Sequence, residues 1–379
     1  MIKKVVIAID SFKGSVSSLQ AGNQAAEAVR DALPNCDVTV LEVADGGEGT
    51  AQALANATGG KMVVVDTVNP LGQPIKAEIG ISHDGKTAYI DTASAAGITL
   101  IPRDKLNPMF TSTSGVGELI KHAVSIGCNK IIIGAGGSAT VDGGIGLLQA
   151  LGYRFLDRDS QQLAPNGGSL NLIRSIDSTD AIVMSNIELI VASDVENRLC
   201  GSKGAARVFG PQKGATPQMV DQLDAGLLNL SKVATQAGFK GMAEIRGGGA
   251  AGGLSASLAV FANAKIKSGI ETVLDLVNFD AIVSNADLVI TGEGKIDNQT
   301  LGGKAPYGIA IRAKKIGIHR IVAICGSLDP NFTIQSSPFT AVFPIIPSPC
   351  TLTDAMKPET TLHNIYRTVT SIISLIDNP

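Results

Sequence analysis

Four carboxylates stand directly after short apolar runs, and two of them have a lysine close behind. Asp10 follows VVIAI (5–9) and opens Asp10-Ser11-Phe12-Lys13-Gly14-Ser15. Asp45 follows VTVLEVA (38–44) and opens the run DGGEGT, Asp194 follows ELIVAS (188–193), and Glu293 follows DLVITG (287–292), with Lys295 and Asp297 next. In open α/β sheets ligands sit outside the carboxyl ends of the strands. A single Asp in such a place can equally cap the following helix. Four together, in a chain with few charges, point to a site. Glycine-rich loops accompany them. GAGGSAT (134–140) lies between an apolar run and a helical pattern. The backbone N–H groups of Gly134, Gly136 and Gly137, with the Ser138 hydroxyl, are therefore candidates to cradle phosphate. Ser11 and Gly46 join them as candidate substrate or phosphate ligands, and the loop at 247–253 offers a similar surface. Carboxylates beside phosphates imply a bridging Mg²⁺. Phosphoryl transfer also needs cations on the migrating group, for which Lys13 and Lys213 are candidates.

Two familiar nucleotide signatures are absent: the chain has no GxxxxGK[ST] and no HRD with DFG. A third fits awkwardly. Gly134 to Ala139 matches the G-x-G-x-x-A dinucleotide fingerprint, and Asp157 closes the following YRFLD run, which would suit an NAD-dependent oxidoreductase. The same pattern recurs at Gly247 to Gly252, so by itself it discriminates little. No His or Lys stands in an obvious hydride-transfer context, and that reading leaves the acidic strand ends without a use. A non-catalytic sugar-phosphate sensor would use the glycine loops but not so many carboxylates.

The elements that must position these residues follow an α/β rhythm. VVIAI precedes a helical pattern over 15–32, and VTVLEV (38–43) precedes another over 46–57. Such βα repeats argue for a parallel sheet covered on both faces. Residues 62–92 break the rhythm: MVVVDTV, AEIGIS and TAYIDTA are joined by the short turns NPLGQP and HDGK, a hairpin pattern. The βα order then resumes, and the tail runs DLVITGEG, RIVAICGS and TAVFPII end before a helix over about 360–376. The expected architecture has the tail strands pairing with the first ones. Residues 1–65 and 285–379 would form one Rossmann-like α/β domain with a parallel sheet. Residues 66–284 would form an inserted second α/β domain with mixed and antiparallel strands.

Composition narrows the partners. Of 379 residues 44% are hydrophobic and 17% charged, the net charge is −3, and no Lys/Arg-rich run appears, so nucleic acid is a poor partner. The apolar run before Asp10 is too short for a signal peptide, and no run approaches the ~18 residues of a membrane span. Five scattered cysteines (Cys36, Cys128, Cys200, Cys325 and Cys350) form no CxxC, and the four histidines show no metal-binding spacing. The cysteines read as free thiols in a reducing compartment. A soluble cytoplasmic protein with small-molecule partners, possibly a homo-oligomer, is expected.

Seven segments carry a resemblance. IAIDSFKGS, VADGGEGT, TSTSGVGELI, IIIGAGGSATVDGG, FGPQKGA, GGGAAGGL and VITGEGKID occur in this order, and the chain resembles the bacterial glycerate kinase family from residue 5 to about residue 375. It carries Ile9 where many members have Pro. The resemblance implies two α/β domains around a cleft and transfer of the ATP γ-phosphate to D-glycerate. It further implies attack by the 2-hydroxyl, giving 2-phosphoglycerate and not 3-phosphoglycerate, with ATP and Mg²⁺ as cofactors. Asp10, Asp45, Asp194, Glu293 and Asp297 all lie in the shared motifs. Asp194, at the end of a central strand, is expected to accept the hydroxyl proton, with Asp10 and Asp45 as the other catalytic carboxylates. Lys13 is expected on the transferring phosphoryl group, and Glu293 and Asp297 on Mg²⁺. Arg207, beside FGPQKGA, could meet the substrate carboxylate or could form a salt bridge.

Overall fold

A computed structural model describes residues 2–297, 300 and 303–376. The chain divides into two compact units, one of residues up to Asp45 and from Ile270 onward, the other Gly46–Gly269. The expected limits near 65 and 285 therefore shift. The strand Lys61–Val68 pairs along its whole length with Pro74–Ile81, which draws it and the helix before it into the second unit.

The first unit is built on a five-stranded sheet in the order Ala341–Pro344, Ile321–Leu328, Leu288–Ile296, Lys4–Ile9, Asp37–Val40, parallel throughout. The strand expected over 38–43 stops at Val40. The central strands are apolar on both faces because both are covered. Val5, Ile7, Ile9, Leu288 and Ile290 join one core cluster with the helices Ser18–Ala32 and Pro358–Ile376. Val6, Ala8 and Val289 alternate with them, are equally buried, and face the side on which Ala305–Lys315 packs. Helix Ser18–Ala32 starts three residues later than expected because Ser17 and Gln20 form a capping box.

The second unit holds a six-stranded sheet in the order Lys265–Lys267, Glu188–Ala192, Lys130–Gly134, Thr87–Asp91, Pro74–Ile81, Lys61–Val68. The first four are mutually parallel and the last two add on as antiparallel hairpins. The change of pattern read at residues 62–92 is thus a real change of pairing.

Three buried ionisable groups organise the loops of this unit. Asp91, at the end of its strand, accepts the backbone N–H groups of Gly49 (2.8 Å) and Ala51 (3.0 Å), ordering the start of helix Thr50–Ala57. Asp142 accepts the N–H and hydroxyl of Thr113 (2.8 and 2.7 Å) and the N–H groups of Gly144 and Gly146 (3.0 and 3.3 Å). One carboxylate therefore ties the starts of the helices Ser114–Ser125 and Ile145–Ala150. Lys213 is buried, and its ammonium donates to Ser138 Oγ (2.8 Å) and Thr140 O (2.7 Å). Burial pulls the Lys213 pKa down to about 7, against the attraction of Asp142.

Replacing Lys213 by Met leaves the Thr140 carbonyl and Asp142 without that cation. The expected loss is roughly 2–4 kcal/mol in urea unfolding, the range for removing one partner of a buried charged contact. Unchanged stability would place the ammonium in water. Asp91 makes a pH prediction. Burial raises its carboxyl from 3.8 to about 7, Glu48 adds to the rise, and the N–H groups of Ala51 and Gly49 oppose it. A raised carboxyl binds its proton in the folded state at pH values where the unfolded chain has lost it. Its contribution is therefore present below about pH 4 and lost as pH rises through about 7. Asp91→Asn removes this dependence, so the stability gap between wild type and variant is larger at pH 5 than at pH 8. Equal gaps would show Asp91 ionised at both.

Candidate functional site

The order of the first sheet creates a switch point. From Lys4–Ile9 the chain moves to Asp37–Val40 on one side, whereas from Leu288–Ile296 it moves to Ile321–Leu328 on the other. The crevice outside the carboxyl ends of two such neighbouring strands is where open α/β sheets bind ligands. Asp10 and Glu293 stand there. The pairing sets Ile9 opposite Gly292, and the Asp10 N–H donates to Gly292 O at 2.8 Å, which carries Asp10 alongside Glu293. The Ser11 N–H folds back onto Asp10 Oδ1 at 2.7 Å. The loop then closes through the Phe12–Val16 pairing, and Ser15 Oγ lies 2.6 Å from Thr361 Oγ1.

Both carboxyls are buried, Asp10 at 5% exposure and Glu293 at 7%. Burial, with Asp45 and Glu293 adding to it, pushes Asp10 up to about 7, while Lys13 and the Ser11 N–H pull it down. Glu293 is also raised, first by burial and then by Asp45 and Asp297, against the Thr300 hydroxyl and Lys304. Thr300 Oγ1 donates to Glu293 Oε1 at 2.5 Å, and Lys304 Nζ lies 3.7 Å from Oε2. Lys13 Nζ lies 3.8 Å from Asp45, and Lys295 Nζ 3.4 Å from Asp297. The result is a cluster of carboxylates interleaved with lysines, two of the acids held at a cost that a bound cation would relieve.

A cavity of about 360 Å³ opens here, lined by Asp10, Ser11, Lys13, Glu293 and Lys304 among others. Asp45 and Asp297 do not line it. Among the described residues no group of three His, Cys, Asp or Glu is placed to hold a metal ion. Glu293 nevertheless faces the cavity as a hard oxygen donor, with Asp297 behind it through Thr300. Mg²⁺ is commonly held by one or two carboxylates and completed by water and substrate phosphates, so the donor set fits it.

The remaining expected residues lie in the second unit. Asp194 follows its strand as expected, and its Oδ1 accepts from Ser268 Oγ (2.7 Å) and from the N–H of Gly269 (3.0 Å), which opens the helix Gly269–Leu276. It thus serves a helix start, although not that of the segment following it. Gly46, Gly134 and Gly136 are in contact with one another. The Gly136 N–H donates to Gly46 O at 3.0 Å, and a Cβ on Gly136 would lie 2.6 Å from Gly47 Cα. Gly137 has φ +73°, a left-handed conformation that suits glycine. Close packing of two loops therefore accounts for glycine at 46, 134 and 136. Ser138 and Lys213 bind each other. Arg207 pairs with Asp221 (3.0 Å) and Asp224 (3.3 Å), the salt-bridge alternative.

Sequence reasoning overlooked Asp91, Asp142, Thr300 and Lys304. Asp91 ends the TAYID run and could have been found by the strand-end rule that found Asp10. Thr300 and Lys304 reach Glu293 only through the local turn of the chain.

The chain matches the model of the Glycerate kinase family over residues 5–377. It is 45% identical over 357 residues to the glycerate kinase of Bacillus subtilis (strain 168), covering 93% of each chain. It is 41% identical over 357 residues to the glycerate 2-kinase of Escherichia coli (strain K12), again covering 93% of each. Its fold superimposes on a crystal structure described as glycerate kinase 2 from Salmonella typhimurium LT2 with a TM-score of 0.86 and 40% identity, over 99% of this chain and 98% of that one. A parallel sheet with two buried carboxylates at its switch point, a second mixed sheet, and this likeness along nearly the whole length lead to one conclusion: the chain belongs to the glycerate kinase family.

Proposed function

We propose that this kinase transfers the γ-phosphoryl group of ATP to the 2-hydroxyl of D-glycerate, giving 2-phosphoglycerate and ADP, with Mg²⁺ as the metal. The observation that carries the reading is the pairing of buried Asp10 and Glu293 with Lys13 and Lys304 at the switch point of a parallel sheet. The relative named glycerate 2-kinase supports the 2-hydroxyl over the 3-hydroxyl. No described helix is long and apolar enough to cross a membrane, and all five cysteines are free thiols, in keeping with a cytoplasmic enzyme of small-molecule substrates.

In this reading Asp10, and not Asp194, takes the hydroxyl proton. Asp10 lines the cavity at the switch point beside Lys13, whereas the Asp194 Oδ1 is engaged by Ser268 and by the N–H of Gly269. The Asp10 carboxylate oxygen accepts the proton as the glycerate oxygen bonds to the γ-phosphorus, and the bond from that phosphorus to the bridging oxygen of ADP breaks. Lys13, two-thirds exposed and anchored near Asp45, offsets charge on the phosphoryl oxygens. Lys304 opposes the rise that burial imposes on Glu293. Glu293, with Asp297 behind it through Thr300, would hold Mg²⁺, which when bound supplies charge neutralisation on the phosphates.

Release of ADP should depend on D-glycerate, vanish with EDTA and return with Mg²⁺, and carbon NMR should show the phosphate on C2. Turnover without metal, or none with glycerate, would overturn the proposal. Asp10→Asn should lower kcat by at least ~10²-fold, the low end for loss of a general base. Asp194→Asn keeps the Oδ1 acceptor used by Ser268 and Gly269, so it removes charge alone and should fall far less. The reverse order would return the base to Asp194.

A further inference from the structure

The cavity in the first unit is larger and more apolar than a three-carbon acid requires. Its lining changes character strand by strand along the carboxyl edge. Asp10 and Lys13 follow the strand Lys4–Ile9, and Glu293 and Lys295 lie on its neighbour. Gly326 and Ser327 lie on the third strand, and Ile345 and Ile346 follow the outermost, Ala341–Pro344. Three strand spacings of ~4.8 Å put about 14 Å between the charged and the apolar end. Leu352 and Met356 add apolar lining from the turn around the short helix Leu352–Ala355, whose start is capped by Thr351, and Met356 carries that lining back beside the loop that bears Lys13. That turn is tied down on both sides. Thr361 Oγ1 donates to Ala355 O at 3.1 Å, and the Met356 Sδ-methyl lies over Gly14, where a Cβ would sit 2.6 Å from it. Leu352 is 75% exposed and lines the cavity.

We infer that this cavity seats the donor nucleotide, with the adenine among Ile345, Ile346, Leu352 and Met356 and the polyphosphate running along the strand ends toward Lys13 and Lys304. This rests on ATP being the donor, as proposed above. Glycerate has no apolar face, so Leu352 and Ile346 offer it nothing. A purine has two, and ligand pockets of this size are mostly apolar with a few convergent polar groups. The middle of the path, Gly326 and Ser327, carries no bulky side chain, which leaves room for a sugar and its phosphates.

The test uses ADP and inorganic tripolyphosphate as calorimetric probes of the full chain. Leu352→Asn/Met356→Asn should weaken ADP at least tenfold and leave tripolyphosphate within twofold, and Ile346→Asn alone should weaken ADP at least fivefold. Val183→Asp, at an equally exposed position (77%) in the second unit, is the control and should change neither. In kinetics the double variant should raise the KM for ATP, with the KM for glycerate within twofold. ADP affinity within twofold of wild type in both folded variants would overturn the assignment. So would a rise confined to the glycerate KM, which would put the acceptor, and not the adenine, among Ile346, Leu352 and Met356. If the wild type binds ADP and the variants lose it as described, but the wild type does not phosphorylate glycerate, the cavity assignment stands and the proposed reaction falls.

Discussion

The pairing of Lys4–Ile9 with Leu288–Ile296 is the contact on which the site depends. It joins residues some 280 positions apart in register, Val5 with Leu288 through Ile9 with Gly292. Everything chemical in the first unit follows from it. Because the chain leaves these two strands in opposite directions along the sheet, their carboxyl ends are not covered by a crossover, and Asp10 and Glu293 meet in the opening. Without that pairing each acid would be an isolated carboxylate at the end of an apolar run, free to cap a helix.

Closeness of like charges has a physical consequence. Asp10 and Glu293 are both raised, chiefly by burial and further by Asp45 and, for Glu293, by Asp297. Lys13 and the Ser11 N–H oppose the rise at Asp10, and the Thr300 hydroxyl and Lys304 oppose it at Glu293. A site of this kind is destabilising when empty of cations and becomes favourable when positive charge arrives, a common feature of perturbed groups at functional sites. The second unit uses buried charge differently. Asp91 and Asp142 are surrounded by N–H and hydroxyl donors, and Lys213 by oxygen acceptors, so these groups order loops and helix starts.

The glycines show how one residue type answers two different demands. In GAGGSAT the sequence suggested an anion cradle, since glycine lets backbone approach a ligand closely. In the folded second unit what approaches closely is another loop. The Gly46 carbonyl receives the Gly136 N–H, and Gly47 occupies the space where a side chain on residue 136 would go. A backbone contact between residues 90 apart leaves no trace in the local pattern of either segment, and so the two explanations look alike from the sequence.

The local pattern was enough for much of the rest. Apolar runs of five or six residues ending in an acid determined the strands and the edge at which chemistry would sit, because parallel strands buried on both faces need continuous apolar side chains and expose only their ends. The break of rhythm at residues 62–92 showed the antiparallel hairpins, since short turns cannot make a parallel crossover. The motif order determined the family. Only the tertiary structure decided which acids meet. Asp10, Asp45 and Glu293 assemble in the first unit. Asp194, identical to them in its local setting, bonds Ser268 and the N–H of Gly269. Arg207 and Lys213, both plausible anion ligands by charge, are already engaged by Asp221, Asp224, Ser138 and Thr140. The reason is that a carboxylate's role is set by the donors and charges within a few ångströms of it. Strand order, which brings distant segments to one edge, is a property of the whole chain and of no single motif.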